Sequence, residues 1–233
     1  MTFNYAAQRK RKRRARFPLA ALFLNAAGAL CKIEIKAMIY ERNYEYLAEI
    51  LADHLNHEEM ALVERAYKVA ESAHAGQMRD EGTPYIVHPV RVAVSLADEL
   101  GIYSPRLICG ALMHDVIEDS PVTREEIAEM FGEQIAEVVW LLTKFDYVSL
   151  PAYLSAIEAA ADTGAAVVKL CDRLDNLRFL AHSPKAEKKR RYIRTTEQHY
   201  LPMAARTNSY IYNELERLLE EARSHVRTTL RDW

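Results

Sequence analysis

Within His114-Asp-Val-Ile-Glu-Asp119 one imidazole and three carboxylates fall in a six-residue stretch. The residues around them are apolar: Leu107, Ile108, Ala111, Leu112, Met113 and Ile117. On an α-helix each residue advances about 100°, so His114 and Asp115 point in adjoining directions, with Glu118 and Asp119 one turn further along and nearly above them. A core-facing helix bears that much polarity only where something cancels the desolvation cost, and a divalent cation does so. A His-Asp pair alone is a weak signal, more often structural or surface polarity than a site. Two further residues add weight. His88 precedes Pro89 at the start of a predicted helix, and Asp172 ends the apolar run Val167-Val-Lys-Leu-Cys171. Two imidazoles and two carboxylates from three helices make a mixed N/O set suited to Mn²⁺, Fe²⁺ or Zn²⁺, with positions left for water and substrate.

The elements that must position these groups are helices throughout. Apolar residues recur at helical spacing through Tyr46, Leu47, Ile50, Leu51 and Leu55, and again through Met60, Leu62, Val63, Ala66, Val69 and Ala70. A polar loop spans Gly76 to Pro84. Helices are expected from His88-Pro89 to Leu100-Gly101, from Pro105 to Asp119, and from the capping-box pattern at Thr123 to Gly132. Five more fit residues 133–144, 151–162, 165–181, 184–205 and 209–226. No alternating strand pattern competes. The expectation is one all-α domain, a bundle of about eight to ten helices.

Composition agrees. Only 7 glycines in 233 residues disfavour a turn-rich β fold, and 50% hydrophobic residues exclude general disorder. The formal charge of −2 averages two unlike parts. Seven of the eight residues from Arg9 to Arg16 are basic, whereas from Met38 onward 22 basic residues face 32 acidic ones. Residues 1–37, with the apolar stretch Phe17 to Cys31, are expected to lie outside a folded body of residues 38–233. That stretch is shorter than the ~20 residues of a spanning helix, so no stable membrane span is expected. An export signal or a peripheral anchor is the competing reading of this leader. The odd set Cys31, Cys109 and Cys171 has no CxxC spacing. It fits buried thiols in a reducing, cytoplasmic compartment.

The body resembles the hydrolase domain of the RelA/SpoT-type alarmone enzymes, a branch of the HD-domain phosphohydrolases. The resemblance rests on His74-Ala-Gly-Gln77, Arg79, Gly82-Thr-Pro-Tyr-Ile-Val-His-Pro89, His114-Asp-Val-Ile-Glu-Asp119, Phe131-Gly132, Thr143-Lys144, Lys169-Leu-Cys-Asp-Arg-Leu-Asp-Asn176 and Leu201-Pro-Met-Ala204. It implies an all-helical fold and a single divalent ion, usually Mn²⁺, held by His88, His114, Asp115 and Asp172. It further implies a catalytic pair at Glu118 and Asp119, and nucleotide contacts from Arg79, Asn176 and Tyr85. The implied reaction takes the 3′-pyrophosphate from ppGpp or pppGpp, leaving GDP or GTP. A bound metal lowers the pKa of water and polarises the phosphoryl oxygen, and the carboxylates one turn along can orient that water and handle the leaving group's proton. With no length for a synthetase module, a stand-alone hydrolase is expected.

Three positions depart from the family pattern. Asp80 stands where most members carry a basic residue, Asp175 replaces the usual His or Tyr, and Phe179 replaces a smaller polar residue. Asp80 is expected to oppose binding of a polyanion, so that Asp80→Lys lowers the Michaelis constant for ppGpp. The other two leave the base open, adenine alarmones included. Competing readings are a phosphohydrolase of another nucleotide such as NADPH or a nucleoside phosphate, and a weakly active nucleotide-binding sensor. Lys188-Lys-Arg-Arg191 with Arg194 reads as a solvated helix face or a phosphate-attracting rim. Nucleic acid is not expected as a partner, because no base-stacking aromatics interleave with the cations. The oligomeric state is not legible.

Overall fold

The structure, a computed structural model, describes residues 42–229, with side chains described to residue 224. The expectations for residues 1–37, Cys31 among them, lie outside the described residues. The helices are α1 (Tyr44–Leu51), α2 (His57–Ala73), α3 (Val87–Val94), α4 (Pro105–Met113), α5 (Val116–Asp119), α6 (Arg124–Phe131), α7 (Glu133–Leu142), α8 (Leu150–Ala159), α9 (Ala165–Arg178), α10 (Ala186–Thr195), α11 (Leu201–Thr207) and α12 (Ser209–Thr229). Among the described residues β structure is limited to a single bridge between Met78 and Pro84. The all-α expectation holds. None of the described helices is long and apolar enough to cross a membrane.

Local signals explain where the helices begin. Asn56 with Glu59, and Thr123 with Glu126, form reciprocal capping boxes that satisfy the first free amides of α2 and α6. Pro105 opens α4, where its missing N–H costs nothing. Before α9, Gly164 takes φ +76°, and a Cβ there would meet Leu107 Cδ2 at 2.9 Å, so both backbone and space require glycine. Helix α9 then runs through the bundle, packing against α3, α4, α7, α8 and α12. It buries Val168, Leu170, Cys171, Leu174 and Leu177 in one continuous core with Ile108, Leu112, Val138 and Leu215.

Three expected helices are interrupted. The one from Pro105 to Asp119 stops after Met113, and residues 114–115 form a turn before α5. The His114 imidazole lies 2.8 Å from the Ala111 carbonyl, the group that a continuing helix would offer to the Asp115 amide. Asp115 accordingly relaxes to φ −103°, ψ −2°. The helix from His88 to Gly101 widens into a π-turn over Ser95–Glu99, and that from 184 to 205 does so over Thr196–Tyr200. The second π-turn lies just before Pro202, which has no N–H to continue the α ladder and whose ring would clash with the carbonyl four residues back.

Candidate metal centre

Helices α3 and α9 and the turn between α4 and α5 bring His88, His114, Asp115 and Asp172 together. His88 Nε2 lies 3.1 Å from Asp172 Oδ1 and 4.0 Å from Asp115 Oδ2. His114 Nε2 lies 3.1 Å from Asp115 Oδ2 and 3.9 Å from Asp172 Oδ1. Candidate ligand atoms of His88, His114 and Asp115 fall within 4.8 Å of one another. Both imidazoles are 1% exposed, so the cluster sits at the inner end of its approach.

The donor chemistry fits a cation. A carbonyl only accepts, so the contact to Ala111 O makes His114 Nδ1 the donor and turns Nε2 toward the cluster. His88 Nδ1 faces the Asp175 carboxylate at 2.6 Å, which leaves its Nε2 for the cluster as well. His114 Nε2 is buried and makes no aligned hydrogen bond, despite its short distance to Asp115. Two nitrogens and two carboxylate oxygens thus converge; Lys169, Tyr85 and Asn176 answer part of the carboxylate charge, and a divalent cation would satisfy all four donors. Burial pulls the His114 pKa down, but the charges of Asp115 and Asp172 outweigh it and push it up to about 9. Burial likewise opposes ionisation of the two aspartates. His114 nevertheless holds Asp115 below the usual carboxylate range, and Lys169, with Nζ 2.8 Å from Asp172 Oδ2, does the same for Asp172.

Glu118 and Asp119 stand at the exposed side of this cluster. Glu118 Oε2 accepts from the Lys144 backbone N–H at 3.0 Å. Partial burial, with the Asp115 charge adding to it, raises both carboxyl groups above their ordinary range. Tyr85 points its hydroxyl at Asp115 Oδ2, 2.7 Å away, and stacks its ring on His74 with centroids 4.5 Å apart. Its polar atom is therefore bound to the His/Asp cluster.

The other expected contacts meet in a small cavity lined by Arg79, Asp80, Glu81, Asn176, Phe179, Leu180, Ser183 and Lys188. Arg79 Nη2 donates to Asn176 Oδ1 at 3.0 Å, and Asn176 Nδ2 in turn donates to Asp172 Oδ1. The cavity is thereby joined to the cluster through one amide. Phe179 lines the cavity and lies against the Arg91 guanidinium, 3.7 Å from Cζ to the ring centroid.

Two residues sit differently from the sequence expectation. Asp80 is not a bare negative charge, because its carboxylate takes Lys188 Nζ at 2.7 Å, Ser183 Oγ at 2.8 Å and Lys185 Nζ at 3.2 Å. The hydrogen bonds from Lys188 and Ser183 hold it well below the usual carboxylate range. Asp175 does not line the cavity, and is buried against Arg91 and His88. The basic run on α10 is largely exposed, with Lys188 drawn to Asp80 and Lys189 Nζ donating to the Ala181 carbonyl.

Sequence reasoning gave no role to Arg91, Lys169 or His74. The signal for Arg91 was present, since a guanidinium three residues after His88 in the apolar run Val87–Val94 must find an acid in the core. Lys169 likewise lies one turn before Asp172.

Known proteins resemble this chain in sequence and in fold. The model of the HD domain matches residues 66–209. The bifunctional (p)ppGpp synthase/hydrolase SpoT of Escherichia coli strain K12 is 35% identical over 189 residues, which are 77% of this chain and 26% of that protein. The guanosine-3′,5′-bis(diphosphate) 3′-pyrophosphohydrolase of Aquifex aeolicus is 38% identical over 179 residues, 74% of this chain and 25% of that protein. The chain thus spans about a quarter of the length of these curated relatives. A solved structure described as a metazoan ortholog of SpoT that hydrolyses ppGpp superposes with a TM-score of 0.61 at 26% identity, covering 69% of this chain and 95% of that one.

Proposed function

The chain belongs to the HD-domain family, and from that premise we propose that it hydrolyses the 3′-pyrophosphate of ppGpp or pppGpp, releasing pyrophosphate and GDP or GTP. The observation that carries this reading is the convergence of His88, His114, Asp115 and Asp172, linked through Asn176 to a cavity walled by Arg79 and Phe179. Relatives named for this activity, and a structural neighbour described as hydrolysing ppGpp, support it. The ion is taken to be Mn²⁺, with Fe²⁺ and Zn²⁺ as alternatives for the same donor set.

His88, His114, Asp115 and Asp172 would hold the ion, which when bound polarises a phosphoryl oxygen and makes water a better nucleophile. The chain's own residues do the rest. Phe179 and Arg79 offer the base an apolar face and a planar cation, and Asn176 offers it a polar contact. Tyr85 keeps Asp115 in place by donating to one of its oxygens. Glu118, held by the Lys144 amide, presents a carboxylate to the attacking water. The water oxygen bonds to phosphorus, the bond between phosphorus and the ribose 3′-oxygen breaks, and that oxygen leaves with a proton. Carboxyl groups raised toward neutrality, as Glu118 and Asp119 are, suit a pair that takes one proton and gives another.

We assign the domain to residues 38–233, with residues 1–37 as an extension outside it, and the protein to the cytoplasm. The two described cysteines, Cys109 and Cys171, are free and buried, as a reducing compartment allows. The test is to incubate the full chain with Mn²⁺ and a panel of ppGpp, pppGpp, adenine alarmones, ordinary nucleotides and NADPH, resolving products by chromatography. Pyrophosphate with GDP or GTP is expected. Inorganic phosphate from NADPH alone, or binding of ppGpp without turnover, would overturn the reading.

A further inference from the structure

Asp175 is a buried carboxylate just behind the cluster. Its side chain is 2% exposed. Arg91 grips it with both arms, Nε on Oδ1 at 2.7 Å and Nη2 on Oδ2 at 3.0 Å. Arg91 is itself 1% exposed, fixed by the Phe179 ring and by Glu81 Oε1, 3.1 Å from Nη2. A planar, two-point pair of this kind has one orientation only. The edge of Asp175 that remains faces His88 Nδ1 at 2.6 Å.

A carboxylate already paired with a guanidinium has no proton to give, so Nδ1 is the donor and Nε2 is the ring atom left for the cluster. Nε2 faces Asp172 Oδ1 and Asp115 Oδ2, 3.1 and 4.0 Å away. For His114 the same duty falls to a backbone carbonyl, that of Ala111, which no substitution removes. For His88 it falls to a side chain, at a position where the family resemblance expects His or Tyr and not an acid.

We propose that Asp175, clamped by Arg91, is a positioning residue that sets the tautomer and ring orientation of His88 and thereby the affinity of the site for its divalent ion. This rests on the metal reading given above. A carboxylate behind an imidazole ligand raises its basicity and orients the ring, and losing such a partner characteristically weakens metal binding by about 10–100-fold.

The test uses the full chain stripped of metal by a chelator. Mn²⁺ is titrated in, with free ion followed by its paramagnetic resonance signal, for the wild type and for Asp175→Asn. Nitrogen-15 spectra of the metal-free, histidine-labelled protein report the His88 tautomer. Asp175→Asn is expected to raise the Mn²⁺ dissociation constant by about 10–100-fold and to reduce the Nδ1-protonated form of His88. A purely structural role would lower the melting temperature of the metal-free protein and leave the dissociation constant and the tautomer as they were, which would overturn the proposal. If Asp175→Asn does not fold, Arg91→Gln with Asp175→Asn removes both charges together, and the same two readouts decide. A wild type that binds no Mn²⁺, Fe²⁺ or Zn²⁺ overturns the metal reading and this proposal with it. A wild type that binds beside a variant that binds equally well overturns this proposal alone.

Discussion

Lys188 Nζ lies 2.7 Å from Asp80 Oδ2, tying the start of α10 to the loop that carries Arg79. Asp80 and Lys188 both line the cavity, and the sequence interval between them, 108 residues, gives no hint of it. With Ser183 and Lys185 on the same carboxylate, Asp80 is a latch whose charge is already matched.

Asp80→Lys is therefore expected to raise the Michaelis constant for ppGpp, the opposite of what charge counting along the chain suggests. It places a third ammonium against Lys185 and Lys188 and releases the segment from Ser183 to Lys188. Each partly exposed pair lost accounts for up to about 1 kcal/mol, or roughly fivefold in affinity. Steady-state kinetics at low and high salt check this, since a repulsive cause fades with added salt. A lowered Michaelis constant would mean that the latch is dispensable.

Glu118→Gln keeps the acceptor for the Lys144 amide and removes the titrating group. Turnover should fall by about 10²–10⁴-fold while ppGpp still binds. Because burial raises the Glu118 and Asp119 carboxyls, the acid limb of kcat/KM in the wild type should lie above the ordinary carboxylate range. A pH–rate profile locates that limb, and one that Glu118→Gln leaves in place would assign it to Asp119 instead.

Glu99 is 2% exposed between Arg42 and Arg178, at 2.6 and 2.7 Å. Burial resists its ionisation, but the two guanidinium groups outweigh it and hold the carboxyl well below its usual range. A depressed carboxyl contributes stability that is present above its unfolded pKa, about 4.3, and is lost as the pH falls below that value. Glu99→Gln should thus cost about 3–5 kcal/mol at pH 7, since it leaves two buried cations unmatched. Denaturant melts of both proteins from pH 7 to pH 3 should show the gap constant to about pH 5 and narrowing below it.

Gly110→Ala sets a gain in helix propensity against a clash. A Cβ at Gly110 would meet Val138 Cγ1 at 2.5 Å, across the α4–α7 contact. Valine in a helix has essentially one side-chain rotamer, so it cannot swing aside, and the helices must part. The clash outweighs the propensity gain of up to about 1 kcal/mol, and thermal melts should show a net loss of about 1–2 kcal/mol.

Much of this protein is legible along the chain because its signals are local. Apolar spacing, capping boxes at Asn56 and Thr123 and the proline at 105 mark helices that the structure contains. The types and intervals of His88, His114, Asp115 and Asp172 suggested ligands before any distance was known, and the tertiary structure brings those four side chains together. What only the tertiary structure decided are the partners of buried charges. The His88–Asp175 contact spans 87 residues and the Arg91–Asp175 pair 84, so no local pattern could connect them. The turn at His114 is not read from the sequence either, although the contact that goes with it, His114 Nδ1 to the Ala111 carbonyl, spans only three residues. Helical periodicity records which faces are buried. It does not record which charge answers which, because ionic pairing inside a core depends on the few ångströms between side chains that folding alone brings together.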